Sequence, residues 1–224
     1  MQSLKVYQSL WAMELRRPDG FEHSDEVRFS MIKNAGFHGV CLDPAVHEID
    51  DCLSKKALFE KYELECMINA FPKSDDDMQA LLQLSKDMNA TTFSIIGTVY
   101  PLTLAEAEPI IRRWIDIAEE LSIPVMFETH RDCITNDMFF TLELLQRIPE
   151  MRLCADFSHY VLGRELALPL TPQFTDYFAR LIERSDCFQG RVASREQIQV
   201  PIGFPQHAEW VALFKQWWIE GFRS

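Results

Sequence analysis

The sequence predicts an α/β fold of the TIM type, a (β/α) barrel with about seven strand–helix units and the eighth missing. Three observations carry this. Short apolar runs alternate strictly with amphipathic segments across short joins, which implies a parallel sheet with its helices outside. Seven such units in 224 residues match the roughly 30 residues per unit of a TIM barrel. Charged residues gather at the ends of the apolar runs, where α/β folds build their sites. A doubly wound sheet is the competing topology. For nucleotide binding it would usually carry a Gly-rich turn after its first strand, and the loop after Leu10 holds one glycine and a tryptophan. No linker, repeat or low-complexity stretch interrupts the pattern, so residues 1–224 read as a single domain.

Leu4–Leu10 alternates and forms the first strand. A polar loop with the turn signal Pro18-Asp19-Gly20 follows. Ser24 caps a helix to Asn34 with Val27, Met31 and Ile32 on one side, closed by Gly36. Phe37–Leu42 is the second strand, a helix runs from Val46 to Tyr62, and Leu64–Ala70 is the third strand. Ser74, followed by three aspartates, starts a helix reaching Asn89, because a cap and negative charge both suit a helix N-terminus. Thr92–Ile96 is the fourth strand. Thr103 opens a helix with Glu106 placed for a capping box and Pro109 inside it.

Val125–Phe127 leads into Glu128 as the fifth strand. Thr135 or Asn136 caps the next helix, which Pro149 stops, and Met151–Ala155 leads into Asp156 as the sixth strand. A loop follows His159. Thr171–Arg184 is a helix, Cys187–Val192 the seventh strand, Ser194–Pro205 a long loop, and His207–Phe222 a final helix. Trp210, Phe214, Trp217 and Trp218 recur on that helix at the spacing of a core-facing stripe.

Composition narrows the function. Hydrophobic residues make up 47% and charged residues 25%, normal for a globular core. No apolar run approaches the roughly 18 residues of a membrane span, and the N-terminus lacks the pattern of a signal peptide. The net charge of −12, from 34 acidic and 22 basic residues, repels phosphate backbones, so neither nucleic acid nor membrane is an expected partner. None of the six cysteines forms a C-x-x-C pair. They read as buried small hydrophobes in a reducing cytoplasm.

The chemistry lies in Val125–His159. The fifth strand ends in Glu128, Thr129 and His130, and the sixth in Asp156, Phe157, Ser158 and His159. Asp43 and Arg191 stand at other strand ends. By strand periodicity Glu128 and His130 share a face, as do Gln189 and Arg191. Side chains facing a barrel top converge, so Glu128, Asp156 and Gln189 could surround one ion. Two carboxylates and an amide oxygen make a hard oxygen site suited to Mg²⁺ or Mn²⁺.

These residues resemble the xylose isomerase-like TIM barrels, the sugar phosphate isomerase/epimerase group. The resemblance runs along nearly the whole chain and rests on FETH (Phe127–His130), DFSH (Asp156–His159) and FQGRVASREQIQVP (Phe188–Pro201). It implies that Glu128 and Asp156 are metal ligands and that His159 and Arg191 contact substrate. It also implies a proton taken from carbon beside a carbonyl while a metal holds the enediolate oxygens. The group's seventh-strand His ligand falls on Gln189, and its eighth-strand Glu has no counterpart before Ser224, so only Glu128 of the acid–base pair is present.

The resulting expectation is a cytoplasmic, divalent-metal-dependent isomerase or epimerase of a sugar, sugar acid or cyclitol. Glu128 would be base and ligand, Asp156 and Gln189 further ligands, and His130, His159 and Arg191 the substrate contacts. Glu196 is a candidate substitute for the missing acid. The alternative is a degenerate barrel that binds a carbohydrate or protein partner without turnover, or a truncated copy of a longer product. An open barrel exposes strand edges, so the Trp-rich C-terminal helix or a second copy in a homo-oligomer should cover the gap.

Overall fold

The computed structural model of the protein describes residues 4–223. All seven expected strands form: β1 (Tyr7–Ser9), β2 (Gly39–Leu42), β3 (Glu65–Ala70), β4 (Thr92–Ile95), β5 (Val125–Glu128), β6 (Leu153–Ala155) and β7 (Ser185–Phe188). The helices are α1 (Asp25–Asn34), α2 (Ile49–Ser54), α3 (Lys56–Tyr62), α4 (Asp75–Asp87), α5 (Leu104–Glu120), α6 (Met138–Arg147), α7 (Phe157–Gly163), α8 (Pro172–Glu183) and α9 (Ala208–Gly221). The class is the TIM-type (β/α) fold with seven strands, and no eighth strand occurs among the described residues. No helix among them is long and apolar enough to cross a membrane. Backbone packing divides the chain into two compact units. One runs to Ile95 and adds Asp116–Val125; the other comprises Ile96–Ile115 and the chain from Met126 onward.

In the first unit β1, β2, β3 and β4 pair in that order, all parallel. β2 is buried along its whole length, as a parallel strand covered on both faces should be. Gly39 is required there, because a Cβ would meet the Glu65 carbonyl and the Tyr7 ring at 2.4 Å. Ser24 caps α1 as expected, but the buried face differs. Arg28, Phe29 and Ile32 point inward while Val27 and Met31 are exposed. The reason is electrostatic. The Arg28 guanidinium is buried against Glu22 at 2.6 Å, Glu14 at 3.1 Å and Asp25 at 3.5 Å, and this turns the helix. The single helix expected over 46–62 is a 3-10 turn followed by α2 and α3. It breaks at Lys55, whose amide turns back to the Cys52 carbonyl. Ser74 caps α4 by accepting from the Asp77 amide.

In the second unit β5, β6 and β7 are parallel, with Glu128 opposite Cys154 and Ala155 opposite Phe188. Thr103 and Glu106 form the expected capping box of α5. Three expectations change here. The cap of α6 is Asp137, which accepts from the Phe140 amide at 2.9 Å, because the Thr135 hydroxyl is engaged elsewhere. The segment after His159 does not begin as a loop: Tyr160–Gly163 continue α7, which Asp156 caps. β7 begins and ends earlier than Cys187–Val192. Its last rung is the Gln189 amide on the Ala155 carbonyl, β6 ends there, and Gly190 follows. Gln189 and Arg191 therefore lie just past the strand rather than on one of its faces. The C-terminal helix α9 does lie against β7. Trp210, Phe214 and Trp217 are buried, Trp217 stacks on Phe178 at 4.2 Å, and Gly221 meets the Phe188 ring.

Candidate metal and substrate site

The ends of β5, β6 and β7 carry the expected side chains to one place. Parallel register sets Glu128 beside Cys154, so Asp156 and Gln189 fall one step past the ends of their own strands. The buried Thr129 ties two of these ends together by accepting the Asp156 amide on its hydroxyl at 2.8 Å. A second threonine holds the loop after β5. The Thr135 hydroxyl donates to the Glu128 carbonyl, and the His130 amide donates to that hydroxyl at 3.4 Å. The Tyr160 hydroxyl, on α7, lies 2.8 Å from the Thr135 carbonyl and packs the loop from behind. Cys133 joins this cluster through the His130 carbonyl, and burial pushes its thiol up to about 11, so it stays protonated.

Glu128, His130 and His159 each present one ligand atom, and the three atoms lie within 4.8 Å of one another. Glu128 is buried and accepts from Gln189 Nε2 on Oε2 at 2.9 Å. His130 Nδ1 sits 2.6 Å from the Arg131 carbonyl. A carbonyl only accepts, so Nδ1 carries the proton and Nε2 presents a lone pair, the arrangement that orients an imidazole for a cation. Burial lowers the affinity of His130 for a second proton. The His130 and His159 rings lie 4.2 Å apart.

His159 is held more unusually. Burial, the neighbouring His130 ring and the Arg191 guanidinium push its pKa far down, so the ring is neutral. Its Nε2 lies 3.4 Å from Arg191 Nη1 and 3.5 Å from Asp156 Oδ2. The contact with Asp156 is thus not an ion pair. If Arg191 donates to Nε2, Nδ1 is an N–H donor; if Nε2 donates to Asp156, Nδ1 is a lone pair. In either tautomer Nδ1 is buried without a protein partner, which marks a place for a ligand.

Asp156 is fully buried and has two roles within the fold. Its Oδ1 accepts from the Ser158 amide at 3.0 Å and from the Ser158 hydroxyl, capping α7. Its Oδ2 faces Arg191 Nη1 at 3.5 Å. Burial raises its pKa, against the opposing pull of Arg191 and Ser158. Gln189 presents its amide nitrogen to Glu128, so its oxygen reaches a cation only after the amide turns over. Glu128 and the two histidines are thus the group whose ligand atoms could hold one ion, and Asp156 keeps a buried oxygen, Oδ2, without a hydrogen-bond partner 3.5 Å from His159 Nε2. Glu196 does not join them: its side chain is 70% exposed and paired with Arg195 at 3.0 Å. Asp43, the remaining strand-end carboxylate, belongs to the first unit and is bonded there to Ser9 and Asn69.

Sequence reasoning missed Thr129, Thr135, Ser158 and Tyr160. Only Ser158 left a readable signal, because Asp-x-Ser is a helix-cap pattern.

No family model matches the chain, and neither does any curated protein. Solved structures do. The probable 3-DHS dehydratase AsbF of Bacillus anthracis aligns over 91% of this chain and 78% of its own, at 17% identity and a TM-score of 0.61. The D-allulose 3-epimerase of a Methylomonas species aligns over 94% and 90%, at 12% identity and a TM-score of 0.56. An L-ribulose 3-epimerase aligns over 99% and 96%, at 11% identity and a TM-score of 0.51. Seven parallel strands alternating with helices, matched over most of their length by such structures, give this chain a TIM-type (β/α) fold.

Proposed function

We propose that the protein is a divalent-metal-dependent isomerase or epimerase of a sugar, sugar acid or cyclitol. The observation that carries this reading is the group of buried Glu128, half-buried His130 and buried His159, with ligand atoms within 4.8 Å of one another. The shared fold with two sugar epimerases supports the substrate class. The donor set suits Mn²⁺ or Mg²⁺ with a preference for Mn²⁺, since imidazole is a softer ligand than carboxylate. A bound ion would polarise the substrate carbonyl and stabilise the oxygens of an enediolate.

The chain supplies the rest. Glu128 is the base that takes a proton from the carbon beside the carbonyl, and the Gln189 amide holds its carboxylate in place. Arg191 donates to substrate oxygens or to an anionic group, and the neutral His159 ring offers a lone pair to the ion. In this reading Glu128 is the one base: Asp156 Oδ1 is bonded to Ser158 and its buried Oδ2 faces Arg191, and Glu196 is turned to solvent. One base returns a proton most readily to the face it came from, so aldose–ketose interconversion is favoured over inversion at one carbon. A cytoplasmic location fits cysteines that are all free thiols.

The test is deuterium wash-in. D-allulose, L-ribulose and D-fructose are incubated with the protein and Mn²⁺ in D₂O and followed by NMR. Exchange at carbon next to the carbonyl is expected, and Glu128→Gln should slow it by about 10²–10⁴-fold, the usual worth of a positioned base. Unchanged exchange in a folded Glu128→Gln protein refutes the assignment. Mn²⁺ binding with no exchange in any ketose would favour the non-catalytic binder, to which the Gln189 substitution also points.

A further inference from the structure

Cys154 and Cys187 take no part in the chemistry proposed above, yet the fold sets them side by side. Cys154 of β6 has Glu128 of β5 as its register partner on one side and Cys187 of β7 on the other. Register partners on parallel strands share a face. The Gln189 amide marks that face, reaching Glu128 Oε2 at 2.9 Å and Cys154 Sγ at 3.8 Å. The pairing of the two cysteines depends on an irregularity. Leu153 pairs with Ser185 but Cys154 with Cys187, so Asp186 is an extra residue on β7. Without that bulge Asp186 would oppose Cys154. Instead Asp186 is turned out to Arg152, whose guanidinium holds it through two hydrogen bonds at 2.6 and 2.9 Å. Bulges re-aim side chains, and the side chain aimed by this one is a thiol.

The geometry suits a disulfide. Paired parallel strands lie about 4.8 Å apart, inside the Cα separation of roughly 4.4–6.8 Å that a bridge spans. The two thiols already hydrogen-bond each other. Access is unequal: of the six cysteines only Cys187 is partly exposed, and the other five are buried. An oxidant from solvent therefore meets Cys187 first, and the thiol in contact with it is Cys154. Cys133, the other cysteine near Glu128, is engaged elsewhere, since its thiol donates to the His130 carbonyl at 2.9 Å. Strand spacing exceeds the Cβ separation of a relaxed bridge, so the bond would carry strain and open readily to a reductant. That is the character of a transient bridge in a compartment that keeps thiols reduced.

We propose that Cys154 and Cys187 are an oxidative modification site, a dithiol that hydrogen peroxide converts reversibly to a disulfide. The Cys187 sulfur attacks the O–O bond, keeps one oxygen as a sulfenic acid and releases the other as water. The Cys154 sulfur then attacks the Cys187 sulfur, the S–O bond breaks, and that oxygen leaves as a second water with the thiol proton. Two thiols lose two electrons and two protons, and one peroxide is reduced. The proposal needs no ion and does not rest on the metal reading. The experiment exposes the reduced full chain, in EDTA, to a small excess of hydrogen peroxide. It is then quenched with N-ethylmaleimide under denaturing conditions, digested with trypsin and mapped by mass spectrometry. The expected product links peptides 153–164 and 185–191, two hydrogens lighter than their sum, with the other four cysteines alkylated. Dithiothreitol before the quench should restore both thiols. The same treatment in urea should lose the selectivity, because register no longer holds the pair together. Cys187→Ser should leave Cys154 open to alkylation after peroxide. Alkylation of both thiols in the peroxide-treated wild type overturns the proposal. So does oxidation of Cys187 that stops at a sulfenic or sulfinic acid without the linked peptide, and so does a linked peptide that forms equally in urea.

Discussion

The neutral His159 ring illustrates how burial tunes a single side chain. Its folded pKa lies below the ordinary value of 6.5 because the charged form would be desolvated beside Arg191. A group of this kind contributes stability above its unfolded pKa, and the contribution is lost as the pH falls below about 6.5. Asp156 acts in the opposite sense, since a raised carboxyl pKa favours the folded state on acidification. Comparison with His159→Gln isolates the histidine. In urea melts with EDTA, the wild type should lose up to about 1.4 kcal/mol per pH unit more than the variant between pH 6.5 and 5. Parallel profiles for the two proteins would show that His159 is protonated in the fold. Thr135 offers a second test at this scale. Its hydroxyl serves the Glu128 carbonyl inside the protein, so Thr135→Val should destabilise by about 1–3 kcal/mol, the penalty for a buried group left unpaired. It should also reduce turnover by loosening the backbone that holds Glu128. Equal stability and activity in the variant would remove Thr135 from the support of the site.

Among the elements, the loop between β1 and α1 shows local sequence signals overruled by charge. Arg28 is drawn inward by Glu14 and Glu22, and these ion pairs hold the loop onto α1. The carboxylates are partly exposed and can rehydrate, so Arg28→Met should cost only about 1–2 kcal/mol, less than a fully buried pair. Its clearer effect should be faster tryptic cleavage after Arg16, as the loop is released. An unchanged digestion rate would show that the loop is held by other means. At the other end of the chain, Gly221 permits α9 to approach β7. A Cβ there would stand 2.1 Å from the Phe188 ring, and Gly221→Val should destabilise by roughly 1–3 kcal/mol through overpacking. A melting temperature equal to wild type would mean that the helix can shift without loss.

For the molecule as a whole, net charge is the property that bears on polyanionic ligands. The net charge of −12 argues against a polyanionic ligand here. Fluorescence anisotropy with duplex DNA at low salt should show no binding at micromolar protein, and a salt-sensitive isotherm would contradict this.

Composition and periodicity were sufficient for the strand–helix alternation, because apolar runs of strand length and capped amphipathic helices are local features. The caps at Ser24, Ser74 and Thr103 and the strand-end positions of Glu128 and Asp156 were legible for the same reason. The buried face of α1, the cap at Asp137, the helix at Phe157–Gly163 and the early end of β7 were not. Three of these depend on a partner outside the element itself: carboxylates for Arg28, the Glu128 carbonyl for Thr135, and the Ala155 carbonyl for Gln189. The same holds for the site. The sequence by itself determined which chemical groups stand at the strand ends. Only the tertiary structure decided that Glu128, His130 and His159 face one another while Asp156 turns to cap a helix, because hydrogen bonding and desolvation in a buried cluster depend on every neighbour at once.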